Sequence, residues 1–316
     1  MIDELVNKLI KSEKKVYIQT HDFPDPDAVA SAFGLQEFLS IYGIFSEIVY
    51  CGEIQREALK KMISILGIKI FKNNEKIITS SDYVIIVDGC KWSKNVTDLG
   101  GHEIAVIDHH LVDEPDDVEF IQINKDLGSC STIITSYYME KSMDIPINAA
   151  TALKTGISRD TDLLTRKVTE LDINAYHYLF NYANNEVVNS LLRNNIQLSD
   201  FNFFSKTIGE LHRKDNIAWY YFKDGCESNL MGIIGDFILS TEEIELSILF
   251  ANNGDSISIS IRSEDPNINA AEVVRLITKE IGAGGGHSQM AGGIIFNKNT
   301  FVLNKIIDKV FNFLNV

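Results

Sequence analysis

Residues 16–42, VYIQTHDFPDPDAVASAFGLQEFLSIY, decide the fold. Val16-Tyr17-Ile18-Gln19 is a short apolar run rich in β-formers. His21 to Asp27 is polar and holds two prolines, and from Ala28 to about Tyr42 apolar residues recur at helical spacing. A strand leading through a polar loop into a helix is the opening unit of a parallel α/β sheet. Downstream, EIVY at 47–50 reads as a second strand followed by a helix at about 55–66. YVIIVD at 83–88 and IAVID at 104–108 are continuous β-branched runs, the signature of strands buried on both faces, and FIQIN at 120–124 is a further strand. The prediction is an α/β protein whose N-terminal domain is a doubly wound, mostly parallel sheet.

From Ser129 to Leu211 the pattern is helical, with an Asn-rich polar approach at 185–200 to a connecting helix at about 200–212. The character then changes. IAWYYF at 217–222, IELSILFA at 244–251 and the alternating SISISIR at 256–262 read as strands, with helical patterns at 229–240, 268–281 and 300–314. The predicted organisation is a metal-binding catalytic domain over 1–195, a linker helix over 196–215 and a smaller α/β domain with a mixed sheet over 216–316.

The chain has 316 residues, enough for two domains, and 45% are hydrophobic, enough for packed cores. Its formal net charge of −15 disfavours tracking along long duplex nucleic acid. A small phosphorylated substrate remains compatible, because bound cations reverse the potential inside one cleft. No apolar run approaches the ~18–20 residues of a membrane span, and the start at Met1 lacks a signal pattern, so no membrane partner is expected. Cys51, Cys90, Cys130 and Cys226 are widely spaced, which reads as buried free thiols in a reducing cytoplasm.

The loop His21-Asp22-Phe23-Pro24-Asp25-Pro26-Asp27 leaves the carboxyl end of a strand, where ligands bind in open α/β sheets. Its prolines hold the preceding residues extended, so the carboxylates stay apart. One Asp would serve as a helix cap; three acids and a histidine in seven residues exceed that need. Nitrogen and oxygen donors together suit Mn²⁺ and similar divalent ions. Asp88 follows YVIIV, and Asp108-His109-His110 follows IAVI. Acids gathered at three strand tips repel one another unless cations neutralise them, and a bridging carboxylate among them is what a two-metal centre requires. Ser158-Arg159-Asp160-Thr161-Asp162 adds two acids at a helix end, and spacing alone leaves Asp160 and Asp162 equal candidates. In the second domain, Gly282-Ala283-Gly284-Gly285-Gly286-His287 reads as a loop whose backbone can approach an anion closely, with the dipole of a helix it opens as support. Arg262, at the end of SISISIR, is a permanent cation able to hold a phosphate.

HDFPDPDA at 21–28, the strand-end Asp88, DHH at 108–110, SRDTD at 158–162 and GAGGGH at 282–287, in that order, resemble the DHH phosphoesterase superfamily. The likeness is to its branch with a DHH-associated C-terminal domain, which includes RecJ-like nucleases and short "nanoRNase" oligoribonucleases. The resemblance implies one metal ion on His21 and Asp25, and a second on Asp27, His109 and Asp160, with Asp88 bridging. Mn²⁺ is the first expectation, Mg²⁺ or Co²⁺ the alternatives. It further implies Asp108 as the orienter of a histidine, His110 facing the scissile phosphate, and Arg262, Gly284, Gly285, Gly286 and His287 as substrate contacts. Closure of the two halves about the segment near 195–215 would then assemble the site. Asp22 exceeds the family pattern, and its role, like that of Asp162, stays open.

The implied function is hydrolysis of short oligonucleotides or small nucleotide phosphates, such as linear dinucleotides and adenosine bisphosphate. The competing enzyme is a manganese-dependent inorganic pyrophosphatase or exopolyphosphatase, whose relatives lack the glycine-histidine loop. A non-catalytic nucleotide sensor is the third reading. A homodimer is compatible with all three.

Overall fold

The computed structural model describes residues 1–54, 56–193 and 196–315, so Gln55, at the start of one predicted helix, and residues 194–195 lie outside it. The chain divides into two compact units, Met1–Asn195 and Ile196–Val316.

In the first unit, β1 (Val16–Gln19), β2 (Ser46–Tyr50), β3 (Ile70–Lys72), β4 (Tyr83–Val87), β5 (His102–Asp108) and β6 (Phe120–Ile123) form one sheet in the order β3-β2-β1-β4-β5-β6. Every pairing is parallel. The strand order reverses between β1 and β4, so the loops leaving these two strands flank the crevice at the switch point. Every residue of β1 and β4 is buried, which is why neither shows polar alternation.

One face of this sheet packs against α1 (Ile2–Ile10), α2 (Pro26–Ile41), α3 (Glu57–Leu66), α4 (Cys130–Lys141), α5 (Ile147–Asp160), α6 (Glu170–Phe180) and α7 (Asn185–Arg193). Ile18, Ile48, Ile85 and Ile107 meet Val29, Phe38, Ile133 and Leu153 in that core. The opposite face, with Tyr17, Val49, Val84, Ile86 and Val106, is covered by Val96, Leu99, Val112 and Val118. These come from the β4–β5 and β5–β6 connections, which are loops. The sheet is thus wound in both directions, but helices cover only one side. Gly89, Gly100, Gly101 and Pro115 interrupt any helical periodicity in the two connections. The three-residue strand β3 has too short a pattern to be legible.

The second unit opens with α8 (Phe201–Glu210) and holds β7 (His212–Lys214), β8 (Ile217–Phe222), β9 (Leu246–Asn253), β10 (Ser256–Ser263), β11 (Gly282–Gly286) and β12 (Met290–Ile295). Their order is β11-β12-β10-β9-β8-β7, antiparallel except for the parallel pair β8–β9. The sheet is mixed. One face packs on α9 (Ser228–Leu239), the other on α10 (Ala270–Thr278) and α11 (Leu303–Leu314). The strand β7, His-Arg-Lys and fully exposed, carries no apolar signal in the sequence.

The glycine stretch departs from expectation. It opens no helix: Gly282–Gly286 is the edge strand β11, joined by a turn at residues 287–289 to β12. The dipole support expected there is therefore absent. Close packing explains part of the composition. A Cβ on Gly284 or Gly293 would lie 2.8 or 2.6 Å from Val274 Cγ2 of α10, one on Gly282 would run into the Ile294 carbonyl, and Gly286 adopts φ +138°. Gly285, paired with Gly292, meets nothing within 4 Å, so packing does not require glycine there. Gly284→Val is expected to lower stability by about 1–3 kcal/mol through overpacking. Gly285→Ala should stay within ~0.5 kcal/mol of the parent. Chemical denaturation of both variants checks this, and equal costs would contradict the packing account.

Candidate active site

Asp25 is the N-cap of α2: its Oδ1 accepts from the amides of Asp27 and Ala28 at 2.9 and 3.0 Å, and Pro26 occupies the first helical position. The cap reading was therefore right for this one acid, yet the same carboxylate lies 4.0 Å from His21 Nε2. His21 Nδ1 faces the Asp22 carbonyl at 2.8 Å. A carbonyl only accepts, so Nδ1 carries the proton and Nε2 presents its lone pair to the site.

Asp88 sits at the tip of β4, 2% exposed and at φ 54°, a left-handed conformation that aspartate tolerates better than most residues. Its Oδ2 is 3.7 Å from His21 Nε2, and its Oδ1 is 3.4 Å from His109 Nε2 and 3.7 Å from His110 Nδ1. One carboxylate thus stands among three imidazoles from two loops. Gly89 allows this: a Cβ there would lie 2.9 Å from Val96 and 3.4 Å from His21 Cβ. His109 Nε2 is also 3.1 Å from Asp160 Oδ2, at the end of α5, and Asp27 falls within ligand-sharing distance of Asp88 and His109. His21, Asp25 and Asp88 form one such group, Asp27, Asp88 and His109 another.

Asp108 stands behind. Its Oδ1 accepts from His110 Nδ1 at 2.7 Å and from the amides of His109 and His110 at 2.8 and 3.2 Å. Burial would raise its pKa, but the hydrogen bond and charge of His110 prevail and hold it below the usual carboxylate value. His110, opposed by burial, is raised by the same bond. Asp22 is no ligand: its carboxylate accepts from the Thr97 amide and hydroxyl at 3.2 and 2.7 Å, tying the first loop to the β4–β5 connection. Asp162, at φ 45°, faces Arg166 at 3.6 Å.

Several contributors lie outside the motifs. The Cys130 and Ser131 amides, at the N-terminus of α4, donate to Asp27 Oδ2 and Oδ1 at 2.8 and 3.1 Å. The Leu127 carbonyl lies 3.2 Å from His109 Nδ1, again leaving Nε2 for the site. Gly156 gives α5 its close approach, since a Cβ would stand 2.8 Å from Asp27 Oδ1. Lys167, with Nζ 3.4 Å from the His109 carbonyl, brings a cation whose pKa burial depresses against the pull of Asp160 and Asp172. The only sequence signal for it is its place a few residues beyond Asp160.

In the second unit, Arg262 lies across α9 with Nε 3.1 Å from Asp236 Oδ1, and a Cβ on Gly232 would come 2.6 Å from its Nη2. It is an engaged guanidinium on a glycine-cleared helix face, not a free strand-end cation. The His287 amide donates to the Met290 carbonyl at 2.7 Å, closing the hairpin turn.

The donor set fits divalent cations. Asp88 Oδ1 and Asp108 Oδ2 are buried without a hydrogen-bond donor among the described residues. Burial, then the charges of Asp88 and Asp160, push Asp27 well above the ordinary carboxylate value, and burial followed by Asp88 raises Asp25. Burial opposes charging of His109, yet hydrogen bonds to Asp160 and Asp88 raise it well above an ordinary imidazole. The cluster therefore gathers protons where metal ions would replace them.

The sequence matches the DHH family, N-terminal domain, over residues 15–157 and the DHHA1 domain over residues 214–315. The chain belongs to the DHH superfamily of phosphoesterases. It is 33% identical over 296 residues to an uncharacterized protein of Methanocaldococcus jannaschii, covering 91% of this chain and 60% of that one. It is 28% identical over 211 residues to a probable manganese-dependent inorganic pyrophosphatase of Shouchella clausii, covering 65% of this chain and 66% of that one. The chain thus spans less than two thirds of either curated relative. Its fold matches an exopolyphosphatase-related protein from Bacteroides fragilis with a TM-score of 0.80 at 18% identity, covering 99% and 95% of the two chains.

Raised values at Asp27 and His109 fix the sign of a pH effect. Each contributes stability to the metal-free protein that is present at low pH and lost as pH rises through its raised value. The gain in Tm from saturating Mn²⁺ is accordingly expected to grow between about pH 5 and about pH 8. A gain that is flat or falling over that range would contradict this proton-for-metal exchange.

Proposed function

We propose that this chain is a divalent-metal-dependent phosphoesterase that hydrolyses short oligonucleotides or small nucleotide phosphates at a centre of two metal ions, Mn²⁺ foremost. The observation that carries this reading is Asp88, buried among His21, His109 and His110 with an oxygen toward each of the two ligand groups. His21 and Asp25 would hold one ion, and Asp27, His109 and Asp160 the other. When bound, such a pair lowers the pKa of a shared water and neutralises phosphate oxygens.

The protein's own groups supply the rest. His110, held by Asp108 and the most exposed of the three imidazoles, donates a hydrogen bond to the reacting phosphate. Lys167 adds positive charge on the His109 side. In the second unit, Arg262 and His287 bind substrate phosphate, and the bare backbone at Gly285 and Gly292 admits a flat group that side chains would obstruct. Nucleotides suit that surface better than pyrophosphate does. The pyrophosphatase alternative draws on the likeness to the Shouchella clausii protein, which extends over most of the first unit.

The test is a hydrolysis screen with Mn²⁺ over linear dinucleotides, adenosine bisphosphate, pyrophosphate and polyphosphate. The nucleotides should lead in kcat/KM by at least ~10-fold. Leading turnover of pyrophosphate would install the alternative, and tight Mn²⁺ and nucleotide binding without turnover would make the protein a sensor. His110→Ala should lower kcat by roughly 10²–10⁴-fold.

A further inference from the structure

Asp172 belongs to none of the motifs, is fully buried, and lies in the first turn of α6. Part of its bonding is that of a capping box: Oδ2 accepts from the Thr169 amide and hydroxyl at 2.8 and 2.7 Å. The remainder serves no cap. Both oxygens lie 3.2 Å from the Gly128 amide, and Oδ1 accepts from the Thr132 hydroxyl at 2.6 Å, reaching 44 and 40 residues back along the chain.

Gly128 and Thr132 bracket a short segment with two tasks. Leu127, before Gly128, offers its carbonyl to His109 Nδ1. Cys130 and Ser131, between the bracketing residues, give their amides to Asp27. One carboxylate thus clamps both ends of the stretch that orients these two side chains. Space reinforces the clamp: a Cβ at Gly128 would stand 2.5 Å from Thr161 Cγ2, 2.8 Å from the Lys167 carbonyl and 3.3 Å from Asp172 Oδ1. His21 and Asp25 are held by other means, the Asp22 carbonyl and the amides of α2.

We infer that Asp172 is a positioning residue for the Asp27–His109 half of the centre, setting the affinity of that half for its metal ion and leaving the His21–Asp25 half alone. The inference rests on the proposed reading that these residues hold metal. In Asp172→Asn an amide NH₂ replaces one acceptor and must face a donor, at Gly128 or at Thr169. Displacing a ligand's supporting partner typically costs 10–100-fold in metal affinity.

The experiment is an Mn²⁺ titration of the metal-free full-length protein, followed by electron paramagnetic resonance of free Mn²⁺, with thermal unfolding of the same metal-free samples. Wild type should bind in two classes. In Asp172→Asn one class should weaken about 10–100-fold while the other is unchanged, and Thr132→Val, which removes one arm of the clamp, should weaken the same class by less. Thr169→Ala, which removes only a local arm of the cap, should lower the Tm with both affinities intact. If Asp172→Asn fails to fold, Thr132→Val decides. Unchanged Mn²⁺ affinities in the folded clamp variants, with only the Tm lowered, would overturn the inference and leave Asp172 a helix cap. Wild type that binds no Mn²⁺ would instead remove the metal reading itself.

Discussion

Repulsion among the acids around Asp88 is the constraint the first unit is built to satisfy. Asp25, Asp27, Asp88, Asp108 and Asp160 come to one end of one sheet, and Asp27, Asp88 and Asp108 are almost wholly buried. Two unit charges 4 Å apart cost about 4 kcal/mol at an effective dielectric constant near 20. A domain's whole stability is about 5–15 kcal/mol, so such a cluster stands only if cations, protons or backbone amides answer it.

The fold answers with helix ends. The N-terminus of α2 is turned on Asp25 through the amides of residues 27 and 28. That of α4 is turned on Asp27 through residues 130 and 131, and that of α6 holds Asp172. In each case amides that lack an intrahelical partner meet a carboxylate, and the helix dipole adds to the match. Fixed dipoles hold the acids in place, and the balance of charge is left for ions to supply. The same economy explains why two connections are loops. Residues 88–101 and 109–119 must turn sharply just past Asp88 and His109, and a helix there would occupy the space the imidazoles need.

Much of this was legible beforehand because it follows from periodicity and local chemistry. Buried strands announce themselves as unbroken apolar runs, and acids just past such runs share the carboxyl edge of a parallel sheet. Asp88, Asp108 and His109 needed no more than that. What escaped depended on contacts distant in the chain. No local pattern ties Leu127 to His109 or Asp172 to Gly128, and a lysine such as Lys167 looks like any surface cation until folding buries it. The glycine stretch misled for a different reason: glycine marks close approach without saying whether a ligand or a neighbouring helix approaches. At Gly284 the neighbour is Val274; at Gly285 no neighbour is near. Arg262 shows the complementary failure, since a strand-end arginine gave no hint of Gly232 clearing a path for it or of Asp236 receiving it.

The chain order of the ligand-bearing segments has a consequence for biosynthesis. Every group gathered around Asp88, together with the Asp172 clamp, is encoded before residue 173, and the unit they occupy ends at Asn195. Domains generally fold as units, the N-terminal one first as it leaves the ribosome. The nascent chain can therefore complete its acid pocket and load cations while β8 to β12 are still untranslated, so ion uptake need not wait for the second half of the polypeptide.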